Sequence, residues 1–323
     1  MEDFIERSAR SVLRQSYDNL EILFLDDHSS DNGLFRLGKI IEEFPEERRN
    51  QVQIVINETN LGLARARNKA VDLSTGDFIF WIDGDDFITA DAIQLLVEKQ
   101  QETGADIVTG KALVIKETES FETPMSCGTS IPETLTALLS STIFPMLWGR
   151  LIRASLYKKH HVRALDGINY REDYQVFPKL VYYAHSLAEL DEFIYYYEQG
   201  NSYSYNNLAK HSIQIRLNKD LQDLVSTEMI RDFFRVKMPD LERLNEENVA
   251  RALLTVLRNA TRANDKRSFM KAASKYVKTP VQYIHTGKFL RRMARISPTV
   301  CWWMKRLHSL IMEPQLHFWN IGS

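Results

Sequence analysis

The chain has 323 residues, 44% hydrophobic and 26% charged, the composition of an ordinary soluble globular protein long enough for about two domains. Lys and Arg number 41 against 43 Asp and Glu, a formal charge of −2, which excludes a polycation built along its whole length to coat nucleic acid. The two cysteines, Cys127 and Cys301, form neither a disulfide framework nor a four-ligand zinc site, so a reducing compartment is the default expectation.

Residues 1–15 place Phe4, Ile5, Ala9, Val12 and Leu13 at helical spacing. Leu20 to Leu25 is almost continuously apolar, as in a parallel strand covered on both faces, and runs into a polar loop, Asp26 to Gly33. A helical stretch over 34–44, a strand at Val52–Ile56, a helix from about Gly62 to Leu73 and an apolar strand Phe78–Ile82 follow, the last ending in Asp83-Gly84-Asp85-Asp86. Another helix (about 89–102) and strand (106–115) continue the alternation, which predicts a doubly wound α/β sheet with ligands beyond the carboxyl ends of its strands. Residues 116–145 are weakly periodic. The stretch 148–198 holds Trp148, a helix after Glu172-Asp173 and an aromatic strand Phe193–Tyr197. From about 213 the pattern is mostly helical, with Pro239, Pro280, Pro298 and Pro314 as breaks. No run reaches the ~18 apolar residues that cross a bilayer, and the N-terminus is acidic where a signal peptide is basic. A cytoplasmic location is expected, at most peripheral on the inner face of the membrane.

Two acid clusters terminate two separate apolar strands, and in a parallel sheet they lie along one edge of the molecule. Close carboxylates repel, and a cation relieves them. Asp83 and Asp85, spaced one apart on a loop, can offer oxygens to Mg²⁺ or Mn²⁺, ions that take one or two carboxylates together with water and substrate phosphates. An isolated Asp-x-Asp is more often a solvated turn. Its place at the end of an apolar strand, downstream of a second acid-ended strand, favours a metal–diphosphate site.

The blocks "SVLRQSYDNLEILFLDDHSSDN", "NLGLARARNKAVDLSTGDFIFWIDGDD", "LWGRLIRASLY" and "YREDYQVFPKL" resemble, in order and spacing, the motifs of the family 2 inverting glycosyltransferases of the GT-A fold, over roughly residues 2–205. The resemblance implies a Rossmann-like mixed α/β sheet in a catalytic domain over 1–205, a mostly helical basic region over 206–323, a nucleotide-sugar donor (usually a UDP-sugar), and Mn²⁺ or Mg²⁺. Carried over by motif position, Asp27 faces the uracil or ribose with Asp26 in support, and Arg67 faces the same pocket. The plainer reading of Arg67 is an ion pair with one of those acids. Asp83 faces the ribose and the metal shell, Asp85 ligates the cation, and Asp86 caps the helix starting near Thr89. Asp173, with Glu172 beside it, matches the base that takes the acceptor hydroxyl's proton. The alternative is that the two acids simply open a helix, a setting that lowers carboxylate pKa values unless burial or negative charge reverses it. Trp148 walls the acceptor side or belongs to the core. Arg150 meets phosphate or solvates a surface. His211 is a metal or phosphate contact, or a surface histidine.

Relatives begin with a strand of the type "VSVIIPVYN" lining the base pocket, and this sequence starts after it; an interior strand is therefore expected to be missing, through an internal start or in a weak binder. Eleven Lys and Arg and no acid lie between Lys266 and Met312, interleaved with Trp302, Trp303 and aliphatic residues. That mixture suits a helix lying on an anionic membrane or a solvated helical face; no nucleic-acid module accompanies it. The function expected is transfer of a hexose or N-acetylhexosamine from a UDP-sugar to a glycan acceptor, lipid-linked in surface polysaccharide synthesis. The rivals are a non-catalytic sugar-nucleotide scaffold and a nucleotidyltransferase, the latter disfavoured by the absence of a Gly-rich lysine loop.

Overall fold

In the computed structural model, which describes residues 1–116, 119–199, 205–283 and 288–312, the apolar face of α1 (Ile5–Leu13) packs against β1 (Ile22–Asp26) and α2 (Gly33–Glu42). Ala9, Leu13, Ile22, Leu37 and Ile40 form that cluster. A short α3 (Glu46–Arg49) leads to β2 (Val52–Ile56), which runs parallel to β1 with Ile22 opposite Val52. The elements α4 (Leu63–Leu73), β3 (Phe78–Phe80), β4 (Phe87–Ile88), α5 (Ala92–Thr103), β5 (Ile107–Ile115) and β6 (Ser120–Glu122) follow. After them come α6 (Ile131–Leu139), β7 (Arg150–Arg153), α7 (Ala154–Lys159), α8 (Glu172–Tyr183) and β8 (Leu187–Glu198).

The expected doubly wound sheet is present but divided. β1 and β2 form a two-stranded parallel ribbon, and a six-stranded mixed sheet runs β3-β7-β5-β8-β4, with β6 on β5. Among the described residues the second edge of β1 and that of β3 carry no ladder partner. The reading of Leu20–Leu25 as a strand covered on both faces is corrected accordingly: Ile22 is buried, while Leu23, Phe24 and Leu25 are half-buried. The middle of the larger sheet is β5, antiparallel to β7 and parallel to β8, with Ile107, Val108 and Ala112 fully buried. The pairing of β5 with β8 shifts register around Gly110, where a Cβ would lie 2.4 Å from Ile194 Cδ1, so only glycine lets the strands close.

The chain divides into two compact units, Met1–Asn201 and Ser202–Ser323. In the second, α9 (Tyr205–His211), α10 (Ile213–Lys237), α11 (Glu242–Arg262), α12 (Lys266–Lys278), α13 (Lys288–Ile296) and α14 (Pro298–Met312) surround one core. That core joins Leu217 and Leu224 of α10, Leu253, Val256 and Leu257 of α11, Phe269 and Tyr276 of α12, and Trp302 of α14. Helix starts are specified locally: Ser212 accepts from Ile215 N–H and Asp265 from Ser268 N–H at 3.0 Å. Pro239, Pro280 and Pro298 each sit where one helix has ended, as their missing N–H requires; Pro314 lies outside the described residues.

Candidate functional site

The carboxyl end of β1 fixes the loop that starts α4. Asp27 Oδ1 accepts from Asn57 Nδ2 and from the Leu61 N–H, and Oδ2 accepts from the Gly62 N–H, each at 2.8 Å. Gly62 stands at φ +80°, in the left-handed region, and a Cβ there would meet Asn169 Nδ2 at 2.5 Å. Asn169 Oδ1 in turn accepts the Ala64 N–H at 3.1 Å, so the first turn of α4 is held between Asp27 and the segment that leads into α8. Asp27 thus spends its carboxylate on organising this loop. Asp26 sits beside it, accepting from Ser29 N–H at 3.2 Å.

One turn into α4, the buried Arg67 guanidinium gathers three carboxylates. Nη2 donates to Asp83 Oδ1 at 2.7 Å, and Nη1 to Glu172 Oε1 and Asp173 Oδ1 at 2.5 Å each. The ion pair predicted for Arg67 is therefore made, but its partners come from the loop after β3 and the start of α8 rather than from Asp26 or Asp27. No local signal announces this, because Glu172 and Asp173 lie 105 and 106 residues away. Burial and the neighbouring Asp173 charge push Glu172 up to about 8, against the pull of Arg67. Burial likewise raises Asp173, with Arg67 opposing and Asp83 assisting. These acids do open a helix, as the plainer reading had it, yet burial and negative charge reverse the lowering that a helix N-terminus alone imposes.

The acidic loop is supported from below by a buried tyrosine. Tyr195 of β8 accepts the Asp83 N–H at 3.2 Å and donates to Asp86 Oδ2 at 2.6 Å, while Asp86 Oδ1 accepts the Glu198 N–H at 2.8 Å. Asp86 is therefore not the helix cap expected of it: it is fully buried, and α5 begins after Asp91. Burial, with the charges of Asp83 and Asp85, pushes it up to about 8. That crowding of negative charge, together with the hard oxygen donors of Asp83 and Asp85, fits a Mg²⁺ or Mn²⁺ ion. Among the described residues no group of three His, Cys, Asp or Glu side chains is disposed to hold a metal, so an ion held by Asp83 and Asp85 would need phosphate and water for its remaining ligands. His211, the remaining candidate ligand, is exposed on α9.

Two further expectations change. Trp148 is 2% exposed and stacks against Tyr195 and Tyr197, with centroids 4.5 and 5.3 Å away, so it offers no open face to an acceptor sugar and belongs to the core. Arg150 neither solvates a surface nor reaches toward a phosphate: it is fully buried, donating to the carbonyls of Met125 at 3.0 Å and Phe144 at 3.1 Å over the Phe177 ring. Tyr195 and Asn169, which sequence reasoning did not single out, are the residues that hold the loops in place.

Residues 2–173, more than half the chain, match the family model of Glycosyl transferase family 2. The chain belongs to this family. Among curated relatives, the glycosyltransferase GlyA of Streptococcus pneumoniae is 28% identical over 58% of this chain and 28% of its own length. The uncharacterized glycosyltransferase EpsJ of Bacillus subtilis is 26% identical over 62% of this chain and 58% of its own. WfgD of Escherichia coli, a UDP-Glc:α-D-GlcNAc-diphosphoundecaprenol β-1,3-glucosyltransferase, is 33% identical over 35% and 42%. The chain thus spans less than two thirds of the length of these relatives. Among solved structures, residues 1–349 of S. aureus TarS in complex with UDP-GlcNAc superpose with a TM-score of 0.66 at 16% identity, covering 96% of this chain and 88% of that one. The fold is that of the GT-A glycosyltransferases.

Proposed function

We propose that this family 2 protein is a metal-dependent inverting glycosyltransferase. It moves a hexose or N-acetylhexosamine from a UDP-sugar to a glycan acceptor, lipid-linked, in the synthesis of a surface polysaccharide at the inner face of the cytoplasmic membrane. The observation that carries this reading is the Arg67 junction, which brings the donor-side acid Asp83 and the base-side acids Glu172 and Asp173 to one guanidinium. The relatives' own descriptions favour the substrate class: WfgD is named for a UDP-glucose donor and a diphosphoundecaprenol acceptor, and TarS is described with UDP-GlcNAc bound.

In this mechanism the acceptor hydroxyl attacks the anomeric carbon from the face opposite the diphosphate, forming the new C–O bond as the bond to the phosphate oxygen breaks. Asp173 takes the hydroxyl proton, and the raised pKa given to it by burial makes it a stronger base than an ordinary carboxylate. Arg67 holds Asp173 in position and keeps the three-acid cluster from repelling itself. A divalent ion held by Asp83 and Asp85 would neutralise charge developing on the departing diphosphate. Asp26 and Asp27 shape the nucleotide end of the site. Residues 1–205 act as the catalytic domain and the helical remainder as its accessory region.

The test is a donor screen by calorimetry with Mn²⁺ present, paired with release of UDP. One UDP-sugar is expected to bind and turn over, and Asp85→Ala to weaken its Mn²⁺-dependent binding at least about tenfold. Binding of no nucleotide sugar, or binding indifferent to Mn²⁺ and to Asp85→Ala, contradicts the reading.

A further inference from the structure

The helix α14 has two unlike faces. Cys301 and Trp302 are 2% exposed, with the Trp302 ring 5.1 Å from that of Phe269 inside the second unit's core. Its outward side is equally apolar: Val300, Trp303 and Met304, at i, i+3 and i+4, are 49%, 62% and 46% exposed. Ile296, the last residue of α13, is 73% exposed at the junction of the two helices. A contiguous apolar ridge with an exposed tryptophan is an unfavourable thing to leave in water and marks an interaction surface.

The cations beside it identify what covers the ridge. The outward side of α13 carries exposed Lys288, Arg292 and Arg295, at i, i+4 and i+7. Some neighbouring cations are committed internally. Lys275 pairs with Glu228 at 2.7 Å, Arg291 donates to the carbonyls of Val277 and Thr279, and Arg306 donates to that of Thr261. Lys288, Arg292, Arg295 and Lys305 have no carboxylate partner among the described residues. Nor does residue 266–312 sequence supply an acid to neutralise them.

The geometry points to the α13–α14 face as a docking surface for an anionic phospholipid bilayer. Trp303, Val300 and Met304 enter the boundary between headgroups and acyl chains, and Lys288, Arg292 and Arg295 meet lipid phosphates. No helix among the described residues is long and apolar enough to cross a membrane; α14, with 15 residues, suits lying in its plane. Nucleic acid would engage the cations and leave the ridge without a counterpart. This surface deepens the proposed function by naming what brings the enzyme to a lipid-linked acceptor, and it rests on that reading only for its purpose.

The test is co-sedimentation of the full chain with vesicles of phosphatidylglycerol mixed with phosphatidylcholine, and with phosphatidylcholine alone. The chain is expected to pellet with the anionic vesicles only, and less as salt rises. Trp303→Ser should lower partitioning about tenfold, and Arg292→Glu with Arg295→Glu should reduce it at least about fivefold per charge. Because these side chains are exposed, circular dichroism and lipid-free UDP release should stay at the unsubstituted level. Equal pelleting with neutral vesicles, undiminished binding of Trp303→Ser, or duplex DNA that displaces the vesicles and still binds Trp303→Ser overturns the inference. Vesicle binding as predicted in a chain that releases no UDP would contradict the enzymatic reading and leave this one standing.

Discussion

Arg67 is where removal of one atom group has the largest expected consequence. Its guanidinium is buried, and burial works against its charge, yet the three acids hold it firmly protonated. Arg67→Met leaves buried, uncompensated carboxylates and should cost about 3–5 kcal/mol in urea denaturation at neutral pH. Lowering the pH should return part of that loss, because the orphaned acids then take up protons. A second residue-scale prediction follows from Glu172. Folded, it holds its proton to about 8 against an ordinary 4.5, so between those values the folded chain binds more protons than the unfolded one. Its contribution therefore makes stability fall as pH rises through that window, and Glu172→Gln should flatten the slope of the denaturation midpoint against pH. If Asp173 is the base, the acidic limb of activity lies above the usual carboxylate range. Tyr195→Phe removes the donor to buried Asp86 and should cost about 1–3 kcal/mol. None of these pairings is visible in sequence, where Asp83 stands 16 residues from Arg67 across a helix end and a strand, and Glu172 lies in another block 105 residues away. Asp86 was misread, and Trp148 left open between wall and core, because residue type and local position suit a cap or a sugar platform, while partners on β8, over a hundred residues along from Asp86, decide the outcome.

At the scale of elements, the start of α4 depends on one close approach that favours glycine, Gly62 against Asn169. Gly62→Ala would place a methyl against Asn169 at a left-handed φ, so it should destabilise the chain by about 1–3 kcal/mol and disturb the Arg67 junction one turn away. The double variant with Asn169→Ala should recover only the steric part, a partition that denaturation curves of the three variants can measure. Strands and helices with long periodic patterns, such as Val52–Ile56 and the helix to Leu73, were legible because hydrophobic spacing alone defines them. Short elements were not: β7 has four residues and α7 six, too few for any period. The helix α6 did carry a signal within the stretch read as irregular, since Ser130 stands three residues before Glu133 and accepts its N–H. The divided sheet has a comparable origin. Apolar runs announce strands but not their neighbours, and β1, expected as a parallel strand covered on both faces, pairs among the described residues with β2 alone.

Across the whole molecule, charge and chemistry are segregated. The acids with raised pKa values at the candidate site lie in Met1–Asn201, while the acid-free basic stretch belongs to Ser202–Ser323, whose helices have a core of their own. An average of −2 conceals this division, which is why composition could exclude a polycation yet say little of either unit. The central claim is that the acids gathered by Arg67 hold a donor and its attacking hydroxyl at a single site. The most direct measurement is turnover and donor affinity determined side by side for Asp173→Asn. Turnover should fall by about 10²–10⁴-fold while the donor Kd stays within about twofold of the unsubstituted chain. Turnover left intact, or affinity lost by the same factor as turnover, would contradict the claim.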